Sequence, residues 1–575
     1  MKKYLILLLV LPTLILAQKS VDVTGRVSLS TLNFDYDEKS EIKPDTVSSK
    51  DYGKTTLIPG LSQSLNLSIF ARTQDFDVSL LGDIRNNDWN TLDFSSHNDI
   101  DRLSLSLRIS NHEVVLGDFY ESGSEFFLQS REIRGGKVKL AFDNVWSRKS
   151  FFEFKTVYGL AQKAFSQGSR IRNIYKQFET SGQFRRYLGA VSVKAGERGF
   201  YKAGFHYLRA EDEEGSIGES LNDPLGNQNF GGDASLFLWD NHIQLFGEGF
   251  LSEKDTVGFG SVSDLTYKGG LDFRYDQFKL IAFYQRLGFN FYSAGYPFLL
   301  NDREGFRVQS AYNFPNILLL SADVEQYDNN LENENNIPTT TTRIGDLSVT
   351  TGIKKFPELT LAFGFRDDIS GSVFNDEEEE TRTNKISRKW EARISHDFNI
   401  NRISLTSIYL DLDDDSKIPG GAPLGTEQFI GSLNFYTRPT NNIFFSGGGV
   451  FSRLLLTDSK SSNNFFIYQS SRWDIMPRKL VFESTLNFAM NEAQNGGDDD
   501  LINNYWQADG RVSLEYFFNN TISLKLIGGT NTRQMDFSTS EALKVLQNPD
   551  TEPTFFNGNE TYNALIYGAE INWIF

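Results

Sequence analysis

The sequence predicts an all-β fold: a single large antiparallel, up-and-down transmembrane β-barrel of about 26 strands (24–28), with no separate N-terminal plug domain. Three observations predict it. Hydrophobic residues alternate with polar or small ones along the chain, tight turns take turns with longer connections, and aromatics reach 14% where all hydrophobics reach only 39%. A disordered chain lacks that aromatic load, and a helical membrane protein is far more apolar. After residue 17 no stretch approaches the ~20 apolar residues of a spanning helix.

The first element is a leader. Lys2 and Lys3 form a positive n-region, Tyr4 to Leu16 an apolar h-region, and Ala17 a small residue for cleavage, which is the layout of a secretory signal peptide. Residues 1–17 therefore read as a signal peptide and 18–575 as the barrel. The net charge of −18 becomes −20 once Lys2 and Lys3 leave with the leader. Such acidity argues against nucleic acid as a partner. With no Cys in 575 residues, disulfide scaffolds, cysteine nucleophiles and thiolate metal centres are excluded.

The strands follow from period-2 patterning. Leu103, Leu105, Leu107 and Ile109 alternate with Ser104, Ser106, Arg108 and Ser110, and Leu359, Leu361, Phe363 and Phe365 repeat the pattern. One face of each strand is then apolar and the other polar. That suits a soluble sandwich or a barrel with lipid outside and a polar lumen inside. The connections separate the two. Short turns occur at Asn111-His112, Asp240-Asn241, Asp276-Gln277, Pro357-Glu358 and Asn519-Asn520 among others. Longer segments, such as 212–227, 289–303, 328–342, 369–385, 415–425, 492–502 and 533–559, fall between them. Tight turns at one end and long loops at the other are the asymmetry of a transmembrane barrel, whereas sandwiches need Greek-key crossings. Within 163–200, residues 175–195 read either as one long strand or as a strand plus an inserted segment.

Aromatic placement agrees. Trp146, Trp239, Trp473 and Trp573 fall beside short turns or the C-terminus, and Trp390 and Trp506 just after long loops, as two membrane-interface girdles would require. Phe-Phe pairs, 126–127 among them, also fall near strand ends. At the C-terminus Phe575, Trp573, Ile571, Ala569, Tyr567 and Leu565 share one face, while Asn572, Glu570, Gly568 and Ala564 share the other, with Ile566 as an exception. This strand resembles the C-terminal recognition signal of bacterial outer-membrane β-barrel proteins. The resemblance implies a cell outer membrane location, both termini periplasmic, membrane lipids as surroundings, and the barrel-assembly machinery as the partner that reads Tyr567, Ile571, Trp573 and Phe575. A second, local resemblance covers about twenty residues. Leu116-Gly117-Asp118, followed after fourteen residues by Ile133-Arg134-Gly135, is similar to a strand-loop-strand of pilus ushers, and related patterns occur in large secretion-translocon barrels. On ordinary hairpin chemistry the two glycines allow bends, and Asp118 and Arg134 are able to pair inside the lumen.

A barrel of this strand number is roughly 50 Å across and needs something to occlude it. Strand-like alternation from Val21 to Tyr36 leaves no room for the N-terminal plug of large TonB-dependent receptors. Inward-folded loops, the segment around 163–190 or a separate plug or partner protein remain. Two functions follow: a channel or transport protein, porin-like or partner-gated, passing solute or polymer; or a non-conducting subunit of a secretion, assembly or surface complex. An adhesin displaying acidic loops is a third. Acidic runs at 211–214, 376–380, 411–415 and 498–500 read as solvated loop tips or as cation sites, with Asp411, Asp413, Asp414 and Asp415 the metal candidates. Those residues imitate the start of an EF-hand, but Ser416 and Ala422 stand where Gly and Glu are needed. Ser538 and Glu541 suggest a short helix near 539–547. No catalytic constellation stands out around the five His, so no enzymatic activity and no cofactor are expected.

Overall fold

The computed structural model describes residues 21–40, 60–87, 102–166, 170–172, 177–179, 182–218, 222–256, 260–332, 337–374, 379–417, 425–456, 461–494, 502–539 and 556–575. The signal peptide, the acidic run at 498–500 and the segment near 540–547 lie outside these. In chain order the strands are β1 (Asp22–Ser40), β2 (Gly60–Arg72), β3 (Phe76–Asn87), β4 (Arg102–Ile109), β5 (His112–Glu121), β6 (Arg131–Asp143), β7 (Ser150–Gln162), β8 (Arg170–Arg172), β9 (Gln177–Glu179) and β10 (Arg185–Glu197). There follow β11 (Tyr201–Glu213), β12 (Leu225–Leu238), β13 (Ile243–Thr256), β14 (Gly260–Tyr275), β15 (Phe278–Leu287), β16 (Arg303–Phe314), β17 (Leu318–Asp328), β18 (Thr340–Thr351), β19 (Glu358–Ser370), β20 (Val373–Phe374) and β21 (Glu380–Thr381). The last nine are β22 (Asn384–Phe398), β23 (Asn401–Asp414), β24 (Thr426–Thr440), β25 (Ile443–Leu456), β26 (Ser461–Met476), β27 (Leu480–Gln494), β28 (Ile502–Phe517), β29 (Ile522–Thr539) and β30 (Phe556–Ile574).

Twenty-six of these form one antiparallel sheet in which each strand pairs with its neighbours in sequence. The sheet closes because β1 pairs with β2 on one side and with β30 on the other. Closure satisfies every edge, which an open sheet of this size could not do. Residues 175–195 resolve into an insertion and a strand: β8 and β9 form a two-stranded ribbon outside the barrel sheet, and β10 follows. A second ribbon, β20 with β21, interrupts the β19–β22 connection.

Twelve tight turns lie at the end that carries Asp22 and Phe575, and the other connections lie at the opposite end. Residues able to adopt positive φ make these reversals: Ser110 (52°), Asp276 (49°) and Asn399 (55°) each open a two-residue hairpin turn. The expected strict alternation of short and long connections is broken twice. At the long-connection end β13 and β14 are only three residues apart in sequence, and β25 and β26 only four.

Alternation sorts the side chains to two faces. Leu116, Tyr158, Phe205, Leu361, Leu405, Leu486 and Leu526 stand exposed on the outer face. Inward positions of β16 to β29 carry ion pairs such as Arg307–Asp323 (2.6 Å), Arg366–Asp368 (2.9 Å) and Lys525–Glu483 (2.6 Å). An apolar exterior around a charged interior inverts the pattern of a soluble core.

Candidate functional site

The largest apolar cluster lies inside the barrel. Two connections at the long-connection end, 122–130 and 288–302, fold inward against the inner wall of β5 to β15. On that wall, positions that are polar elsewhere are apolar: Ile133, Leu188, Leu208, Phe250 and Leu287 are all fully buried. Phe126, Phe127 and Leu128 of the first loop insert among them, with Phe291 and Ala294 of the second. Phe127 stacks on Phe250 with ring centroids 5.9 Å apart and lies 5.2 Å from the His206 ring.

Polar contacts fix both loops. The first curls on itself, with the amides of Phe127 and Leu128 donating to Ser124 O (both 3.1 Å) and that of Gly123 to Leu128 O (2.7 Å). Its first half is tied to the wall by Ser124 donating to Glu248 and by a Glu125–Lys268 ion pair of 2.8 Å. The second is clamped by buried Asn227, which donates to Tyr292 O (3.1 Å) and accepts from the Ala294 amide (2.9 Å). Arg186 holds Asp212 in a two-pronged pair (2.7 and 2.9 Å) and donates to the Tyr292 hydroxyl (2.9 Å). The loops also hold each other: Ser293 Oγ donates to Phe127 O (2.9 Å) and the Gln129 amide to Gly295 O (3.2 Å). Buried polar groups satisfied in this way cost little, so the loops are a fixed part of the lumen. Below them, His206 Nε2 meets Asp233 Oδ1 at 2.5 Å, and Lys194 stands 3.8 Å from the same carboxylate.

The structure places the residues singled out in sequence as follows. Tyr567, Ile571 and Trp573 stand exposed on the outer face of β30, and Ile566, the exception to the pattern, is buried on the inner one. Phe575 exchanges backbone hydrogen bonds with Gly25 (2.8 and 3.0 Å) and its ring lies 4.7 Å from Trp573. Trp146, Trp239, Trp473 and Trp573 are exposed at the short-turn end. Trp239 stacks on Tyr275 at 5.2 Å. Trp390 is the seventh of fifteen residues in β22, against Phe363, and Trp506 in β28 donates to Gln534 (3.0 Å). The acidic run at 411–415 is mostly the end of β23, which runs to Asp414, with Asp415 just past it. Asp411 and Asp413 share the outer face with exposed Tyr409, while Asp414 faces the other way and pairs with Lys385 at 3.4 Å. Among the described residues no group of three or more His, Asp or Glu gathers as a metal site.

Two further expectations change. Phe126-Phe127 is not an interfacial pair: it fills the lumen. Asp118 and Arg134 do pair, at 2.6 Å, but on the outer side of the wall, since their neighbours Phe119 and Ile133 are buried inside while Leu116 and Tyr120 are exposed. Their role is local. Gly117 has φ 102°, and a Cβ there would come within 1.9 Å of Leu103 O, so only glycine fits. Pairing of β4 with β5 stops at Gly117, and the Asp118 carboxylate takes the unpaired Leu103 amide at 2.9 Å.

No protein-family model and no curated protein matches the sequence. Solved structures similar in fold are outer-membrane β-barrels. They include the siderophore receptor PirA from Pseudomonas aeruginosa (10% identity over 95% of this chain and 80% of that one, TM-score 0.37). The copper transporter OprC shows 9% identity over 97% and 81% (TM-score 0.41), and the P pilus usher PapC translocation pore 10% over 95% and 98% (TM-score 0.21).

Proposed function

We propose that the chain is an outer-membrane transport protein, exported by its leader, whose barrel forms a channel narrowed on one side by the 122–130 and 288–302 loops. The observation that carries this reading is the distribution of polarity: an apolar outer face suited to lipid around an interior of ion pairs and buried amides suited to water. The loops line β5 to β15, while the inner faces of β16 to β29 keep half-exposed charged side chains, such as Arg366, Arg472 and Arg511. Both signs alternate there, so the passage discriminates weakly by charge. No residue is assigned a catalytic role.

Single-channel recording of the purified protein in a planar bilayer tests the proposal. A steady current with weak cation or anion preference is expected. Silence from correctly folded protein, together with a stably co-purifying subunit, overturns it in favour of a barrel plugged by a partner.

A further inference from the structure

The wall at the long-connection end of β5, β6 and β7 contains a cleft of about 320 Å3 beside the second inward loop. Its charged lining is Arg131, Arg134, Asp118, Glu132 and Lys163, and exposed Phe298 from the second loop forms an apolar side. The carboxylates are already matched: Asp118 by Arg134 at 2.6 Å and Glu132 by Arg102 at 3.1 Å. Arg131 is different. Its Nη2 donates to Ala161 O (2.8 Å), its Nε is buried without an acceptor, and it forms no ion pair among the described residues. The nearby Arg186 repels it, and Glu132, the carboxylate that attracts it, is also paired with Arg102. Burial pushes the Lys163 ammonium below the usual lysine value.

A half-buried guanidinium whose nearest carboxylate, Glu132, is shared with Arg102 is incompletely balanced, and its fork of donors suits an oxygen anion. We propose that this cleft binds an anionic group, a carboxylate or phosphate, carried on an apolar or aromatic body, with Arg131 as the anion's partner and Phe298 against the body. The inference deepens the transport reading by naming a class of solute, but the binding is read at equilibrium. A silent pore therefore refutes transport without touching the site, and absent binding refutes the site without touching transport.

The test is calorimetric titration of the full chain in an uncharged detergent with benzoate and with inorganic phosphate. Saturable binding of both is expected. Arg131→Gln should weaken both about ten- to hundredfold, as loss of a charged hydrogen-bond partner does. Phe298→Ala should weaken benzoate severalfold and leave phosphate unchanged. Lys163→Gln lies outside the barrel strands, so its severalfold loss is read on a barrel left intact. Nanodiscs distinguish the source of the anion. If a lipid phosphate is the natural occupant, benzoate affinity falls in discs carrying phosphate-monoester lipid relative to phosphatidylcholine discs; if a free solute is, the two agree. Absence of saturable binding, or binding indifferent to both Arg131→Gln and Lys163→Gln in heat-modifiable protein, overturns the proposal.

Discussion

Replacing Phe127 by Ala should release the 122–130 loop from the wall and widen the channel. Phe126, Phe127 and Leu128 are fully buried, and at about 1.5–3 kcal/mol each their burial stabilises docking by roughly 5–9 kcal/mol. Ordering the nine residues of the loop costs about 1 kcal/mol or more each, so the two sides nearly cancel. The Glu125–Lys268 pair, the Ser124–Glu248 bond and the Ser293–Phe127 bond then decide the balance. Truncating one buried Phe removes about 3–5 kcal/mol, more than that balance can absorb. The barrel strands themselves lose no pairing, so heat-modifiable mobility on a gel should persist. Single-channel conductance should rise, and chymotrypsin should cut at Phe126, a site closed in the parent protein. Unchanged conductance together with unchanged cleavage in a folded Phe127→Ala protein would refute the loop's role as a constriction.

Three further outcomes are expected. Gly117→Ala places a methyl group against Leu103 O and should prevent correct assembly, seen as loss of the heat-modifiable band, whereas Asp118→Asn should assemble and speed exchange of the Leu103 amide. Deleting Phe575 removes two backbone hydrogen bonds to Gly25 and the contact with Trp573, and should lower the yield of inserted barrel severalfold at unchanged expression. Lys417, first, and Ser372 bond the Glu380 carboxylate and hold it below the ordinary glutamate value. A depressed folded value means the tie is intact at neutral pH and is lost as the pH falls below about 4.3 and through that value, so protease cutting near the β20–β21 ribbon should increase in acid.

Strands were legible because their two faces meet different surroundings, so residues such as Leu103, Leu105 and Leu107 declare a face by spacing alone. Closure was legible too, from the alternation of β30. The lumen filling was not. Phe126-Phe127 beside a strand end has the same local pattern whether it meets lipid or folds inward, and residues as far as 166 positions away help decide. A signal did exist: Leu188, Leu208 and Phe250 are apolar at positions whose parity should face water. Asp411 to Asp415 misled for a related reason, since a charged run at a strand end still alternates faces, and Asp414 finds Lys385 on the neighbouring strand. The inserted ribbon at β8–β9 carries too few residues for any period to show.

The pairing of β1 with β30 imposes an order of events on assembly. Arg26 donates to Asn572 (2.7 Å) and Glu570 (3.3 Å), Ser28 to Glu570 (2.8 Å) and the Asn33 side-chain amide to the Tyr567 hydroxyl (2.7 Å), across separations of 534 to 546 residues. Every other seam in the sheet joins sequence neighbours and can zip as a hairpin. This one stays open, with two long unpaired strands exposed to self-association, until the rest of the sheet has curled far enough to bring them together. Once the hairpins exist, the chain between the ends is no longer a loose loop, so the entropic cost of the last step is small and its rate depends on curvature. The seam is therefore the last pairing that closes the sheet, and the one that no hairpin turn holds together.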